Sequence, residues 1–142
     1  MIDLIAHLTR QAAFSRATFG PGPRTKGVID HLTKEFREIT ECYDAPLTPK
    51  ALGRIDPIMT RDQPLRAKHA AASDEWTDVA ILGLDGLLRA ISAAHPDWTF
   101  DRVAEEAALK IVAKQGRNEL REWPNWREMS ADSAIEHDRS KD

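Results

Sequence analysis

With 142 residues, 42% hydrophobic and 30% charged, the chain fits one domain that can bury a real core under much polar surface. The net charge of −3 supplies no basic field, which argues against nucleic acid as the main partner and means that an anionic ligand needs metal ions or local basic groups. Cys42 is the only cysteine, which excludes an internal disulfide and a multi-thiolate zinc site, and no run reaches the roughly eighteen apolar residues of a membrane span or follows a basic leader; the expectation is a soluble, unprocessed, cytoplasmic protein.

From Ile2 to about Thr18, the residues Leu4, Ile5, Leu8, Ala12 and Phe14 recur at three- and four-residue intervals, and Gly20-Pro21-Gly22-Pro23 follows; this predicts a helix and a sharp turn. From Thr25 to Tyr43, Val28, Ile29, Leu32, Phe36, Ile39 and Tyr43 form one stripe of a second helix, with Thr25 as its N-cap. Pro46, Pro49, Pro57 and Pro64 interrupt residues 44–71, which read as a long connection or lid with one short helical start at Thr48–Leu52. Ser73 to Ala94 carries apolar residues almost all the way round and predicts a buried central helix. After His95-Pro96-Asp97, Thr99 caps a fourth helix from Phe100 to Glu122, stopped at Trp123-Pro124. No alternating strand pattern occurs, so the fold class is all-α, a bundle of four to five helices over residues 1–129 with a polar, disordered tail at 130–142.

Two carboxylate pairs stand out, Glu35 with Glu38 and Glu75 with Asp78, each at i, i+3 spacing and so on one face of its helix. At roughly 100° per residue, Glu35 lies in or beside the apolar arc of the second helix and Glu38 about 60° further out. Glu75, Asp78 and, seven residues after Asp78, Asp85 share an arc of the third. Such acids on a helix surface are commonly just solvated. Repeated on a helix with little solvent face, they instead predict convergence on a divalent cation, because like charges held close do not all stay ionised unless neutralised. Oxygen-only donors favour Mg2+, with Mn2+ as substitute. No histidine stands three after a glutamate, which sets aside a ferritin-like di-iron site.

On the fourth helix, Val103, Ala107, Ile111, Lys114, Asn118 and Arg121 lie in one narrow sector that turns polar halfway along. Its end is either solvated or a pocket wall, in which Lys114, Arg117 and Arg121 meet phosphate and Asn118 a sugar or base. The Gly20–Lys26 stretch lacks the amides and the Gly-Lys-Ser/Thr ending of a phosphate loop and reads as an inter-helix turn, from whose rim Arg24 and Lys26 reach a phosphate. Beside it, Phe14, Ser15 and Phe19 are candidates to stack on and hydrogen-bond a base, with core packing suiting Phe19 better than Phe14. His31 has no partner pattern and reads as structural.

Several strings together, Gln11-Ala-Ala-Phe14-Ser15 through Thr25, Lys34-Glu35-Phe-Arg-Glu38-Ile39, Glu75-Trp76-Thr-Asp78-Val79 with Leu84-Asp85-Gly86, and Lys114-Gln-Gly-Arg117-Asn118 through Arg127, resemble the dATP/dGTP diphosphohydrolases. These are a branch of the MazG-like all-α nucleoside triphosphate pyrophosphohydrolases that is frequent in phages. The resemblance spans Gln11 to Arg127 and departs in the long 44–71 connection. It implies magnesium-dependent hydrolysis between the α and β phosphates of a purine deoxynucleoside triphosphate, dGTP ahead of dATP, by a homodimer or homotetramer controlling a nucleotide pool, in the host cytoplasm if the gene is a phage's. It carries metal binding to Glu35, Glu38, Glu75 and Asp78 and the Lys-x-x-x-Asn element to Lys114 and Asn118. Within that set Glu38, farthest from the apolar stripe, is the candidate catalytic base. The competing expectations are a pyrimidine nucleotide (dUTP or dCTP) pyrophosphatase and a non-enzymatic helical interaction module.

Overall fold

In the computed structural model, which describes residues 3–44 and 63–137, the Asp3 side chain accepts from the Ala6 amide at 3.1 Å and caps α1, Leu4–Phe19. The chain then turns through Gly20 and Gly22, whose φ of 82° and 83° lie in the left-handed region open to glycine, while Pro21 and Pro23 stop the helix from continuing. α2 spans Thr25–Asp44, α3 Gln63–Ala94 and α4 Phe100–Glu119, and a 3₁₀ turn follows at Trp126–Glu128. No strand occurs among the described residues, so the fold is all-α. Among the described residues no helix is long and apolar enough to cross a membrane.

The core lies between α1, α4 and the C-terminal half of α3. Leu8 and Ala12 pack there with Leu88, Ile91, Val103, Ala104 and Ala107, and Leu84, Leu87, Trp98 and Ala108 close around them. The small residues Ala12, Ala104 and Ala107 let the helices approach closely. Thr99 caps α4 as expected, its hydroxyl accepting from the Arg102 amide. α4 ends at Glu119, three residues before the expected Glu122.

Among the described elements, α2 touches α3 alone. The two run antiparallel, a register fixed at three places. A Cβ on Gly86 would stand 3.5 Å from Val28 Cγ1, Phe36 meets Trp76 edge to face at 6.4 Å, and the Tyr43 hydroxyl lies 3.0 Å from His69 Nδ1. α1 runs alongside α3 in the same direction: the Gln11 amide donates to the Ile81 carbonyl and Arg16 to the Ser92 hydroxyl. α3 is therefore central but only partly buried; Trp76 is 51% exposed and Ile81 is also exposed in the single chain.

α3 begins ten residues before the Ser73 that periodicity suggested, so residues 63–71, expected within a long connection, are helix. Pro64 was misleading as a breaker. It occupies the first turn, where a missing N–H costs nothing because no intrahelical acceptor precedes it. The short helical start expected at Thr48–Leu52 lies outside the described residues, as do 138–142 of the tail; within 130–137, a turn joins Ser130 to Ser133 and the His137 ring packs on Trp123. Thr25 is the first helical residue of α2, not its cap: the Val28 amide donates to the Arg24 carbonyl.

Candidate functional site

The groove between α1 and α2 has α3 as its floor. On that floor Glu75, Asp78, Leu82, Asp85 and Arg89 succeed one another at intervals of 3, 4, 3 and 4, which is one stripe of the helix. Opposite it on α2 run Val28, His31, Glu35 and Glu38 at 3, 4 and 3. The antiparallel register brings the two acidic ends together. Glu35, Glu75 and Asp78 each place a carboxylate oxygen within 4.8 Å of the others.

Burial is graded across this trio: Glu35 is 7% exposed, Glu75 half-buried and Asp78 open to solvent. Glu35 accepts from His31, whose Nε2 lies 3.0 Å from its Oε1 one helical turn earlier. The Glu75 carboxyl is pushed above the usual glutamate range, first by loss of solvent and then by the charges of Glu38, Glu35, Asp78 and Asp74. Glu38 stands outside the close trio and is exposed, yet its charge acts on Glu75 more strongly than that of Glu35 or Asp78. The same field reaches Cys42, whose thiol is pushed up by burial and then by Glu75, Glu41 and Glu38.

One turn further along, the groove widens into a cavity of about 120 Å³ between the turn after α1, the first half of α2 and α3. Phe19, Arg24, Val28, His31 and Leu82 wall it, with Asp85 and Arg89 at its base. Arg89 is the structural pin of this end. Its side chain is buried and makes five hydrogen bonds: Nε donates to Asp85 Oδ2 at 2.8 Å, Nη1 to the Gly20 and Gly22 carbonyls, and Nη2 to the Ser15 carbonyl and hydroxyl. Arg16 Nη1 lies 3.8 Å from the other Asp85 oxygen, and burial followed by the Arg89 charge pushes the Arg16 guanidinium down. Asp85 is thus the counter-ion of two arginines and lies outside the carboxylate trio.

Of the base-binding candidates, Ser15 is 2% exposed and holds Arg89, so its hydroxyl serves the scaffold. Phe14 is exposed and meets Phe19 edge to face at 6.1 Å; of the two, it is Phe19, the one for which core packing was the better expectation, that lines the cavity. Arg24 lines the cavity, and Lys26 lies exposed in the first turn of α2. The basic residues of α4 gather elsewhere. Lys114, Arg117 and Asn118 line a separate open groove of about 630 Å³ with Leu87 and Lys110. Leu87 is roughly 120° round α3 from Glu75, and α4 touches α1 and α3 but not α2. Within one chain these groups do not face the carboxylates. Arg121 donates to the Asn118 side-chain oxygen at 3.1 Å, beside that groove.

On sequence alone, His31 reads as without a partner and Arg89 is passed over. Each had a signal: His31 stands four before Glu35, and Arg89 four after Asp85 in an otherwise apolar run, and such i, i+4 pairs meet on a helix face. Comparison with known protein families, with characterised proteins and with solved structures finds no match.

Proposed function

We propose that the chain is a divalent-cation-dependent pyrophosphohydrolase of purine deoxynucleoside triphosphates, of the MazG-like all-α type. The observation that carries this reading is the convergence of Glu35, Glu75 and Asp78 from two antiparallel helices, with the Glu75 carboxyl raised by loss of solvent and then by the neighbouring carboxylates. The donor set fits a hard cation: it is all oxygen, it is graded from buried to open, and its innermost carboxylate is held in place by His31. When bound, magnesium or manganese neutralises the triphosphate and makes an attacking water more acidic.

The chain's own groups then have distinct tasks. Glu35, Glu75 and Asp78 hold the cation. Glu38, exposed and outside the trio, takes the proton of the water whose oxygen attacks the α-phosphorus. The bond from that phosphorus to the bridging oxygen breaks, giving a nucleoside monophosphate and pyrophosphate. Lys26 stands exposed in the first turn of α2, where the helix amides and dipole add to its positive charge toward the substrate. Lys114, Arg117 and Asn118 do not reach the carboxylates of their own chain, so their part in phosphate binding falls to the site of a second protomer. The exposed apolar side chains of α2 and α3 supply a surface for that assembly.

Pyrophosphate release measured across all four deoxynucleotides and the ribonucleotides, with magnesium or with chelator, tests the reading. Magnesium-dependent release from dGTP or dATP is expected. Absence of release from every nucleotide contradicts it, and a preference for dUTP or dCTP overturns the purine assignment alone.

A further inference from the structure

We infer that the cavity between Phe19 and His31 receives the base of the nucleotide, and that Arg24 selects guanine there. The inference deepens the pyrophosphohydrolase reading, on which the phosphate end of the pose rests. Its position comes first. Leu82 and Asp85 continue the Glu75–Asp78 stripe along α3 by roughly 6–10 Å, a step comparable to that from phosphate to base across one sugar. His31 joins the two regions, since it both walls the cavity and bonds Glu35.

The lining suits a flat heteroaromatic ring. Phe19 and His31 contribute rings and Val28 and Leu82 apolar walls, above the Asp85–Arg89 pair at the base. Base-on-aromatic stacking is tolerant of base identity, so these walls bind without choosing. The choice falls to Arg24, whose guanidinium makes no side-chain hydrogen bond or ion pair among the described residues although it borders the cavity. Its backbone is held in a conformation rarely taken by residues other than glycine, with φ at 45°. The hydrogen bond from the Val28 amide to its carbonyl and the grip of Arg89 on the Gly20 and Gly22 carbonyls fix the turn around it. A guanidinium presents a planar fork of donors and no acceptor. That fork matches the adjacent O6 and N7 acceptors of guanine, whereas adenine sets an amino donor against it. Burying donor against donor is the arrangement that rejects a base most strongly.

The test uses the whole chain, chelator in place of metal, and deoxynucleosides without phosphate, followed by NMR. Deoxyguanosine should move the Phe19 and His31 ring resonances and bind about tenfold tighter than deoxyadenosine, the scale of one bidentate contact. Arg24→Met, or Arg24→Gly should the first variant lose the fold, since glycine accepts the φ of 45° at this position, should level the two affinities. In the unaltered protein 7-deazadeoxyguanosine, lacking the N7 acceptor, should lose most of the advantage. Ring resonances unmoved by either nucleoside, or equal affinities for both in the unaltered protein, overturn the inference. This outcome is separable from failure of the pyrophosphohydrolase reading, which the nucleoside titration does not require: pyrophosphate release with a silent cavity removes only the base pocket, and nucleoside binding without release removes only the chemistry.

Discussion

Glu75 is where charge, burial and chemistry meet. Its carboxyl is raised by desolvation and by Glu38, Glu35, Asp78 and Asp74, so the folded chain holds this proton more tightly than the unfolded chain. The sign follows from proton linkage: the stability tied to this group is fully present below the ordinary glutamate range and is lost as pH rises through its raised folded value. Glu75→Gln removes that dependence. In chelator, thermal melts should place the variant above the unaltered protein at neutral pH, with the two converging in acid below the ordinary glutamate range. Turnover should fall below detection in Glu75→Gln and in Asp78→Asn, because a neutral amide does not supply the charge that holds a cation. Retained turnover in both variants would remove the metal assignment while leaving the fold intact.

Among the elements, the end of the groove depends on a charged residue inside α3. Arg89 ties α1, the Gly-Pro turn and α3 together, and Asp85 neutralises it. Arg89→Met should cost about 3–5 kcal/mol in urea unfolding, since Asp85 stays buried without its closest partner. Hydrogen exchange should quicken across the turn, whose carbonyls lose their donor. Leu88→Ala, in the core on the same helix, should cost about 2–5 kcal/mol without that local effect. The contrast shows what was legible in the sequence. Helix faces follow from periodicity, so the α2 stripe and the two carboxylate pairs could be read directly, as could the Gly-Pro turn. Which face meets which neighbour does not follow: nothing in the spacing of Lys114 and Asn118 tells that α4 packs away from α2. Nor does a proline declare whether it starts a helix or breaks one, and Pro64 starts α3. Phe14 and Phe19 are alike in type, and only the turn geometry decides that Phe19 faces the cavity.

At the scale of the molecule, α2 rests on α3 alone among the described elements, and its remaining surface carries Ile29, Phe36 and Tyr43 in the open, next to the exposed Trp76 of α3. An apolar surface of this extent beside an acidic groove favours association of protomers, which would also bring a second set of Lys114, Arg117 and Asn118 within reach of the carboxylates. Light scattering at micromolar concentration should report a dimer or tetramer, and Phe36→Asp should shift it toward monomer; a monomer in both cases would contradict a shared site. The central claim, however, is that acids from α2 and α3 bind a cation together with a triphosphate. Its most direct test is calorimetric titration of magnesium into the protein with and without a dGTP analogue that cannot be hydrolysed between its α and β phosphates, in the unaltered chain and in Glu75→Gln. The account predicts that magnesium and analogue each tighten the other's binding in the unaltered chain and that this coupling vanishes in Glu75→Gln; binding of neither, or coupling that survives the substitution, would contradict it.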